Sequence, residues 1–293
     1  MSKLAYLLRS FKKFSLHSGF RCPNCGSDKS FRIERKKIIT ALNRCEHCKL
    51  LFRTPTDDPE SNETYYENKY AEGFTTELPT EAALATFKER NFAGTEKDYS
   101  KYVRALSSLG VGANAAVFDF GCSWGYGSYQ FARAGFDVTS FEIAPTRRRF
   151  AQKHLGVRVI EAMDGLMNES KYREAFEVFF SAHVLEHVLA PNRVFEQARY
   201  LLRDGGLFIS FTPNGSLACR AANRDWSSWW GEKHPNFLDD VFLDFQFNNS
   251  PRLFGSSPLA HDVAPSKLNT QLHLDDLSGS ELMFVAQKTG AIW

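Results

Sequence analysis

The chain has 293 residues, of which 43% are hydrophobic and 24% charged, and its formal net charge is +2 at pH 7. These values are typical of a globular protein with one sizeable core and a small accessory module, and the near-neutral charge disfavours a nucleic-acid-binding function. No apolar run approaches the roughly 18 residues that span a bilayer, and no signal-peptide core is visible. We therefore expect a reducing, cytoplasmic location, in which the six cysteines bind metal or stay as thiols.

Residues 1–20 are predicted to form an amphipathic helix with basic residues between its apolar ones. The apolar positions at helical spacing are Leu4, Leu7, Leu8, Phe11 and Phe14. A basic amphipathic helix either packs on its own protein or makes peripheral contact with a membrane, and the sequence leaves both open.

Residues 21–54 contain two pairs of cysteines, each with two residues between its members. The pairs are Cys22 with Cys25 and Cys45 with Cys48, and 19 residues separate the pairs. Each pair can turn both thiolates toward one metal, and two pairs complete a tetrahedron, which predicts a closed, structural zinc ribbon. Segments 31–34 and 38–39 are expected to supply its strands. The alternatives are four unrelated cysteines, a redox pair, or His47 in place of one cysteine.

Residues 55–112 are predicted to be a linker followed by a helical region. The segment 55–80 is rich in Pro, Asp and Asn, whereas 80–109 carries apolar residues at helical spacing. Gly110 and Gly112 are expected to end the helical pattern.

Residues 113–293 are predicted to form one α/β domain. The expected strands are 116–120, 137–142, 157–161, 176–181, 206–212 and 281–288, and the expected helices are 125–134, 145–154 and 191–202. Alternation of this kind produces a parallel sheet with helices on both faces. Trp226, Trp229 and Trp230 follow no clean period, so they are expected either in the core or in a ligand pocket.

The most informative stretch is 117–127, where an apolar strand reaches Asp119 and then turns through Gly121 and Gly125. A second short strand ends in Glu142. Glycines let a nucleotide-type cofactor approach the backbone, and a carboxylate on the neighbouring strand can bind its ribose. The pattern therefore predicts a cofactor-dependent enzyme.

Three blocks, in this order, resemble class I S-adenosylmethionine-dependent methyltransferases of the small-molecule branch. The blocks are DFGCSWG at 119–125, FFSAHVLEHV at 179–188 and LLRDGGLFISFTPN at 201–214. The resemblance implies a Rossmann-like, seven-stranded sheet and methyl transfer from S-adenosylmethionine to an oxygen or carbon of a small acceptor. An N-terminal cysteine module is also seen among sugar C-methyltransferases, so a sugar, nucleotide-sugar or polysaccharide-linked acceptor is favoured.

The resemblance also implies which residues border the cofactor. They are Asp119, Gly121, Cys122, Ser123, Gly125, Glu142, Ile143, Asp164 and Ser181. Glu142 is expected to accept hydrogen bonds from both ribose hydroxyls, and Ile143 to pack on the adenine. Asp164 or Glu161 is expected at the adenine edge. Ser123 occupies a position that is usually glycine, which changes the contact expected with the methionine carboxylate.

The candidate catalytic residues are His183, His187 and His234. His183 follows the fourth strand and is the first candidate for the base that removes the acceptor proton. The run His183-x-x-Glu186-His187, with His234, also resembles the metal site of small-RNA 2′-O-methyltransferases, which implies a second divalent ion at Glu186, His187 and His234. In other relatives the same Glu and His simply brace the start of a helix.

Two further functions stay open at this point. One is an RNA methyltransferase that uses the ribbon to hold its substrate, and the near-neutral charge counts against it. The other is a zinc-ribbon adaptor whose methyltransferase fold is inactive, and the nearly complete glycine turn counts against that.

Overall fold

A computed structural model describes residues 3–16, 18–36, 38–58, 77–256, 268, 272–290 and 293. The side chains of residues 3–5, 164, 168 and 272 lie outside the description, as does segment 59–76 of the predicted linker. Within the described ranges, the helices are too short or too polar to span a lipid bilayer.

The predicted amphipathic helix is α1 (Lys3–Ser15). One face docks on the protein, where Lys13 Nζ donates a hydrogen bond to the backbone oxygen of Thr56 at 2.9 Å. The opposite face leaves Leu8 and Phe11 61% and 57% exposed. The helix therefore packs on its own chain by one face, and contact of the other face with a membrane stays a prediction.

The cysteine-containing region forms an antiparallel sheet in the order β1-β2-β3-β9. Its strands are β1 (Ser30–Lys36), β2 (Thr40–Cys45), β3 (Leu51–Thr54) and β9 (Asn236–Phe237). The expectation of a strand at 38–39 is wrong, because Ile38 has φ +65° and lies in the β1–β2 turn. The fourth strand comes from a part of the chain that the sequence assigned to the larger domain, so the two regions share one sheet.

The larger sheet has eight strands among the described residues, in the order β11-β10-β12-β8-β7-β4-β5-β6. They are β4 (Ala116–Phe120), β5 (Asp137–Phe141), β6 (Val159–Ile160), β7 (Phe176–Ala182), β8 (Leu202–Pro213), β10 (Arg252–Ser256), β11 (Leu272–His273) and β12 (Glu281–Gln287). Strands β4 to β8 run parallel, and β12 is antiparallel to β8. The predicted α/β, Rossmann-like sheet of seven strands is confirmed, with β11 as a two-residue addition at the edge.

Helices lie at the three predicted positions, 125–134, 145–154 and 191–202, although the second ends as an α-helix at Phe150, and further helices lie where none was predicted. The helices after β4 are α4 (Tyr126–Arg133), α5 (Pro145–Phe150), α6 (Met163–Asn168), α7 (Pro191–Leu201), α8 (Leu217–Ala222) and α9 (Asp240–Gln246), with shorter helical turns at Ala151–Leu155, Leu185–His187 and Trp226–Trp229. Pro145 and Pro191 occupy first helical positions, where the missing N–H costs nothing.

Two helices ahead of the sheet, α2 (Glu81–Glu89) and α3 (Ser100–Ser108), pack against the core of the larger domain. Tyr99, at the start of α3, lies against α4, and Gly127 makes this possible. A Cβ at position 127 would lie 2.2 Å from Tyr99 Cε1. These helices therefore belong physically to the α/β domain rather than to a linker in front of it.

Phenylalanine side chains fill much of the space between the sheet and its helices. Phe118, Phe179 and Phe208, from three adjacent strands, are fully buried, and their ring centroids are 5.4 and 5.5 Å apart in succession. Phe247 covers Phe208 at 5.2 Å. Each such ring stabilises the fold by about 1.5–3 kcal/mol relative to exposure, so most of the phenylalanine content serves the core.

Candidate active site

The turn after β4 is built so that only glycine fits at two positions. Gly121 and Gly125 have φ of +85° and +89°. A Cβ at Gly121 would lie 2.4 Å from Val184 Cγ2, and one at Gly125 would lie 2.8 Å from the Cβ of Ala151. The amides of Gly121 and Cys122 both donate to the Phe141 carbonyl at 2.9 Å, which ties the turn to the next strand.

Ser123 adopts the left-handed conformation that a glycine would take, with φ +52°. Its side chain is buried, and its Oγ has no hydrogen-bond partner among the described residues. A buried hydroxyl without a partner costs free energy, so the serine fits the turn but leaves a polar group available to a ligand. Cys122 beside it is buried, and burial raises the pKa of its thiol, which argues against a nucleophile.

Asp119 lies behind the turn and connects it to two neighbouring elements. Its Oδ2 accepts a hydrogen bond from Ser128 Oγ of α4 at 2.5 Å, and Ser140 Oγ of β5 donates to Ser128 Oγ at 3.0 Å. Burial raises the pKa of Asp119 to about 7, although the Ser128 hydrogen bond opposes this, and the charge of Glu142 raises it further. The residue therefore holds the turn in place.

Glu142 ends the neighbouring strand and faces the same turn. Its side chain is almost fully buried, and Oε1 accepts the backbone N–H of Ala144 at 2.8 Å. Burial raises the pKa of the Glu142 carboxyl, while the amides of Ala144 and Ser123 and the charge of Arg147 act against the rise. The amides of Gly121 and Cys122 bond to the carbonyl of Phe141, the residue before Glu142, so Glu142 lies next to the glycine turn, where the sequence predicts a ribose-binding group.

The other predicted cofactor residues lie at the same end of the sheet with less defined surroundings. Ile143 is half-buried directly after Glu142. Ser181, near the end of β7, has a buried Oγ without a partner among the described residues. Asp164 occupies the first turn of α6, and its side chain lies outside the description, whereas the Glu161 side chain is 80% exposed.

His183 is held between two carboxylates. Its Nε2 lies 2.8 Å from Glu281 Oε1, and its Nδ1 lies 3.7 Å from Glu186 Oε1. Burial alone would lower its pKa, but the two carboxylates outweigh that effect and raise the pKa of His183 to about 9. The imidazole is therefore protonated at neutral pH, although the side chain is 48% exposed.

Glu281 is a site residue that sequence reasoning missed. It also accepts hydrogen bonds from Lys101 Nζ at 2.9 and 3.0 Å and from Tyr102 Oη at 3.0 Å. Because β12 runs antiparallel to β8, its first residue pairs with Pro213 at the edge where the parallel strands end. The only sign of Glu281 in the sequence is an acidic residue directly before the apolar run 282–286. That pattern predicted the start of a strand and no functional role.

A cavity of about 580 Å³ opens beside this network. We call it the acceptor cavity, and its lining residues are Lys101, His183, Pro213, Ser228, Trp229, His234, Ser280 and Glu281. It combines one indole ring with hydroxyl, ammonium, imidazole and carboxylate groups, a mixture that suits a small polar molecule with a flat or ring-shaped face.

Glu186, His187 and His234 converge, with their potential ligand atoms within 4.8 Å of one another. His187 Nδ1 lies 2.7 Å from the Lys233 carbonyl, and His234 Nδ1 lies 2.5 Å from the Trp229 carbonyl. Since a carbonyl only accepts, both Nδ1 atoms carry a proton, so Nε2 is the nitrogen of each ring that a metal ion could bind. Backbone partners of this kind orient histidines that bind metals.

Glu186, the third member of this cluster, supplies the negative charge that a bound cation requires. Glu186 Oε2 accepts a hydrogen bond from Thr212 at 3.0 Å, whereas its buried Oε1 accepts no hydrogen bond from the described residues and lies 3.7 Å from His183 Nδ1 and 3.9 Å from His187 Nε2. Burial would raise the pKa of Glu186, but the neighbouring histidines lower it to about 2. Burial lowers the pKa of His187 to about 4. An ionised carboxylate thus faces a neutral imidazole.

The four cysteines of the N-terminal sheet form a second cluster, with all four sulfur atoms within 4.8 Å of one another. Two pairs, Cys22–Cys48 and Cys25–Cys45, have Sγ–Sγ distances of 3.5 and 3.6 Å. A tetrahedron with Zn–S bonds of about 2.3 Å requires sulfur atoms about 3.8 Å apart, so the donor set fits zinc. His47 is exposed and does not join the cluster.

The backbone of the two cysteine loops repeats. In each loop the first cysteine receives a hydrogen bond on its carbonyl from the residue four positions on, Gly26 or Lys49, at 2.8 and 3.1 Å. Both of these residues have positive φ, +74° and +68°. Two loops with the same hydrogen-bond pattern that face each other are an arrangement that one shared ion explains and that unrelated cysteines do not.

Comparisons with known proteins agree with this geometry. A family model described as "Methyltransferase domain" matches residues 81–249. The ubiquinone biosynthesis O-methyltransferase of Xylella fastidiosa is 32% identical over 112 residues, which are 36% of this chain and 45% of that protein. A protein of the same name from Xanthomonas oryzae pv. oryzae is 32% identical over 189 residues, 61% of this chain and 70% of that protein.

Among solved structures, the plantazolicin methyltransferase BpumL in complex with SAH superposes with a TM-score of 0.50 at 12% identity, covering 78% of this chain and 94% of that one. A likeness at this identity concerns the fold alone. The chain also spans less than half the length of the Xylella relative.

The parallel sheet, the glycine turn and the carboxylate on the next strand define a Rossmann-like protein that binds a nucleotide-type cofactor. The chain belongs to the methyltransferase-domain family, because the family model matches more than half of it. This confirms the predicted methyltransferase domain, whereas the sugar-methyltransferase-like branch and the zinc ribbon stay predictions. The match begins at residue 81, so it leaves out strands β1 to β3 of the cysteine sheet and includes α2, α3 and β9.

Proposed function

We propose that the protein transfers a methyl group from S-adenosylmethionine to a hydroxyl oxygen of a small acceptor. The observation that carries the proposal is the buried Glu142 carboxylate beside the turn whose glycines leave the backbone accessible. The names of the relatives in Xylella and Xanthomonas support oxygen over carbon. Binding at this turn aims the methyl group toward His183 and the acceptor cavity, because the parallel strands all end at this edge.

Replacing Glu142 with alanine is expected to weaken S-adenosylmethionine binding by roughly 10- to 150-fold, because the ribose hydroxyls lose a charged partner worth about 1.5–3 kcal/mol. Isothermal titration calorimetry measures the dissociation constant. Glu196→Ala, which removes an exposed acid on α7, is the matched control and should keep wild-type affinity. Wild-type protein that binds no S-adenosylmethionine at millimolar concentration would favour the adaptor alternative instead.

The acceptor is proposed to be a ring that carries vicinal or ionisable hydroxyls. Trp229 supplies a flat apolar face, and Lys101 and His183 supply positive charge near the acceptor oxygen. The sugar acceptor predicted from the sequence has no support in the names of the relatives. A transfer assay with labelled S-adenosylmethionine, run in parallel on a catechol and on a nucleotide-sugar, separates the two, since methylation of only one class identifies the acceptor chemistry.

His183 is proposed to orient the acceptor rather than to deprotonate it. With its pKa raised to about 9, the ring is cationic at neutral pH and donates hydrogen bonds, which stabilises negative charge on the acceptor oxygen. A turnover rate that increases only as His183 loses its proton above pH 9 would restore the predicted role as base.

The four cysteines are proposed to hold a structural zinc. All four protein ligands are thiolates, so the site is closed and takes no part in methyl transfer. Zinc here keeps the two loops and the sheet together, and its removal is a stability experiment, argued in the Discussion.

Glu186, His187 and His234 are proposed to bind a second divalent ion, which on binding orients acceptor oxygens and lowers their pKa. Electron paramagnetic resonance with Mn²⁺ measures this directly. His234→Ala is expected to weaken Mn²⁺ binding at least roughly tenfold, whereas His154→Ala, outside the cluster, should not. Binding should also weaken as the pH falls toward 4, where protons compete for His187. Wild-type protein without bound Mn²⁺ at millimolar metal would leave the cluster a purely structural one.

A further inference from the structure

The segment 226–239, which we call the acceptor segment, supplies Ser228, Trp229 and His234 to the acceptor cavity. It follows no regular period and contains only one helical turn and the two-residue strand β9. A segment of this kind needs external contacts to keep one conformation. Some of those contacts come from the larger domain, such as the hydrogen bonds of Asn236 to the carbonyls of Val188 and Leu189, and two come from the N-terminal cysteine sheet.

The first contact is at Trp230, whose side chain is 2% exposed. Its indole N–H donates to Glu34 Oε2 at 2.7 Å, and its carbonyl accepts a hydrogen bond from Lys36 Nζ at 2.6 Å. The same ammonium lies 3.9 Å from the centre of the indole ring. Alternate residues of β1 therefore hold both the side chain and the backbone of Trp230, with a cation–π contact in addition.

The second contact is the strand pairing between β3 and β9. Leu51 is opposite Phe237 and Phe52 is opposite Asn236, and the Arg53 amide donates to the Pro235 carbonyl at 2.7 Å. The cysteine sheet thus holds the acceptor segment at 230 and again at 235–237.

Residues 231–234 lie between these two contacts, and one of them, His234, lines the acceptor cavity. His234 bonds to the carbonyl of Trp229, the neighbour of Trp230, and the Lys233 carbonyl bonds to His187. Gly231 N donates to the His234 carbonyl at 3.0 Å, which closes the short loop. A displacement at Trp230 therefore moves the groups that line the cavity.

We infer that the β1–β2 hairpin of the cysteine sheet is part of the acceptor site, with Glu34 and Lys36 as positioning residues that act through Trp230. The inference rests on the proposed function only in calling the cavity an acceptor site. The cofactor turn makes none of these contacts, so the effect is confined to the acceptor side.

Hydrogen–deuterium exchange with mass spectrometry on the full chain tests this without an acceptor. Lys36→Met should speed amide exchange in 229–237 by roughly tenfold or more, because the carbonyl contact and the cation–π contact are both lost. Lys36→Arg keeps a cationic donor and should restore protection. Arg32→Gln removes a charge from an exposed position of the same strand and should leave exchange unchanged.

Glu34→Met repeats the test in case Lys36→Met does not fold, because it removes the carboxylate that accepts the hydrogen bond of the Trp230 indole. The dissociation constant of S-adenosylmethionine should stay within about twofold of wild type in all folded variants. Unchanged exchange in 229–237 in both variants would overturn the inference, and so would an equal rise in the cofactor turn 119–127. Wild-type protein that fails to bind S-adenosylmethionine would refute the proposed function while leaving the exchange result standing.

Discussion

Arg44→Met is expected to lower the free energy of unfolding by about 3–5 kcal/mol, because it leaves the carboxylate of Asp239 buried without its cation. Arg44 Nη1 donates to Asp239 Oδ1 at 2.9 Å, and Nη2 makes a second, parallel contact with Oδ2. The two side chains are only 9% and 1% exposed. Asp239 also caps α9 by accepting the amide of Phe242 at 2.9 Å, so the pair connects the cysteine sheet to the start of that helix.

Urea unfolding followed by circular dichroism measures the loss. Arg158→Met is the control, since the Arg158–Asp137 pair is about 60% exposed on both sides and should contribute less than about 1 kcal/mol. Adding Asp239→Asn to Arg44→Met should recover part of the loss, because the unpaired charge is removed. Equal losses in Arg44→Met and the control would mean that the buried pair does not attach the cysteine sheet to α9.

The parts of the site that the sequence predicts are those with local signals. Gly121, Gly125 and Glu142 lie within about one strand–helix–strand unit, where periodicity and turn chemistry identify the neighbouring strands and their connection. The cysteine pairs are similar, because the spacing within each pair limits where the thiolates can point. The structure places the glycine turn beside the strand that Glu142 ends and brings the four sulfur atoms together, and the binding roles of these residues stay predictions.

The parts that sequence reasoning missed depend on contacts between distant segments. Glu281 meets His183 across 98 residues, and neither residue has a neighbour that signals the contact. Strand β9 has two residues and no period, and it exists because β3 offers an unpaired edge. Conversely, the apolar pair at 38–39 suggested a strand, but a hairpin needs a turn there, and the left-handed Ile38 provides it.

The tryptophans show why composition could not decide between core and cavity. Trp230 is buried in a small cluster with Leu42, Leu51 and Phe237, whereas the adjacent Trp229 lines the acceptor cavity. Neighbouring residues point in different directions, and the direction is set by β1 and β3, which lie far away in the sequence. Trp230 therefore belongs to the core, whereas contact of Trp229 with an acceptor stays a prediction.

The largest loss of stability is expected from Cys25→Ser. Zinc bound by four thiolates contributes about 10–16 kcal/mol of apparent binding free energy in small zinc peptides, and removing one ligand forfeits much of it. Cys25 is the exposed member of the cluster, so without metal its replacement by serine would bury no new polar group and cost little. A large effect at this position therefore reports the metal and not the packing of the side chain.

Elemental analysis should find one zinc per chain in freshly purified wild-type protein and a marked loss in Cys25→Ser, accompanied by a lower thermal unfolding midpoint. Cys219→Ser is the matched control, a buried cysteine outside the cluster that should keep the zinc. Because β9 belongs to the same sheet as β3, loss of the metal should also expose amides of the acceptor segment, whereas the cofactor turn is held by Asp119 and Ser128 and should keep its protection. Two results would contradict the proposal that zinc holds the cysteine sheet against the acceptor side of the enzyme. One is a zinc content near zero in wild-type protein, and the other is an equal unfolding midpoint for Cys25→Ser and Cys219→Ser.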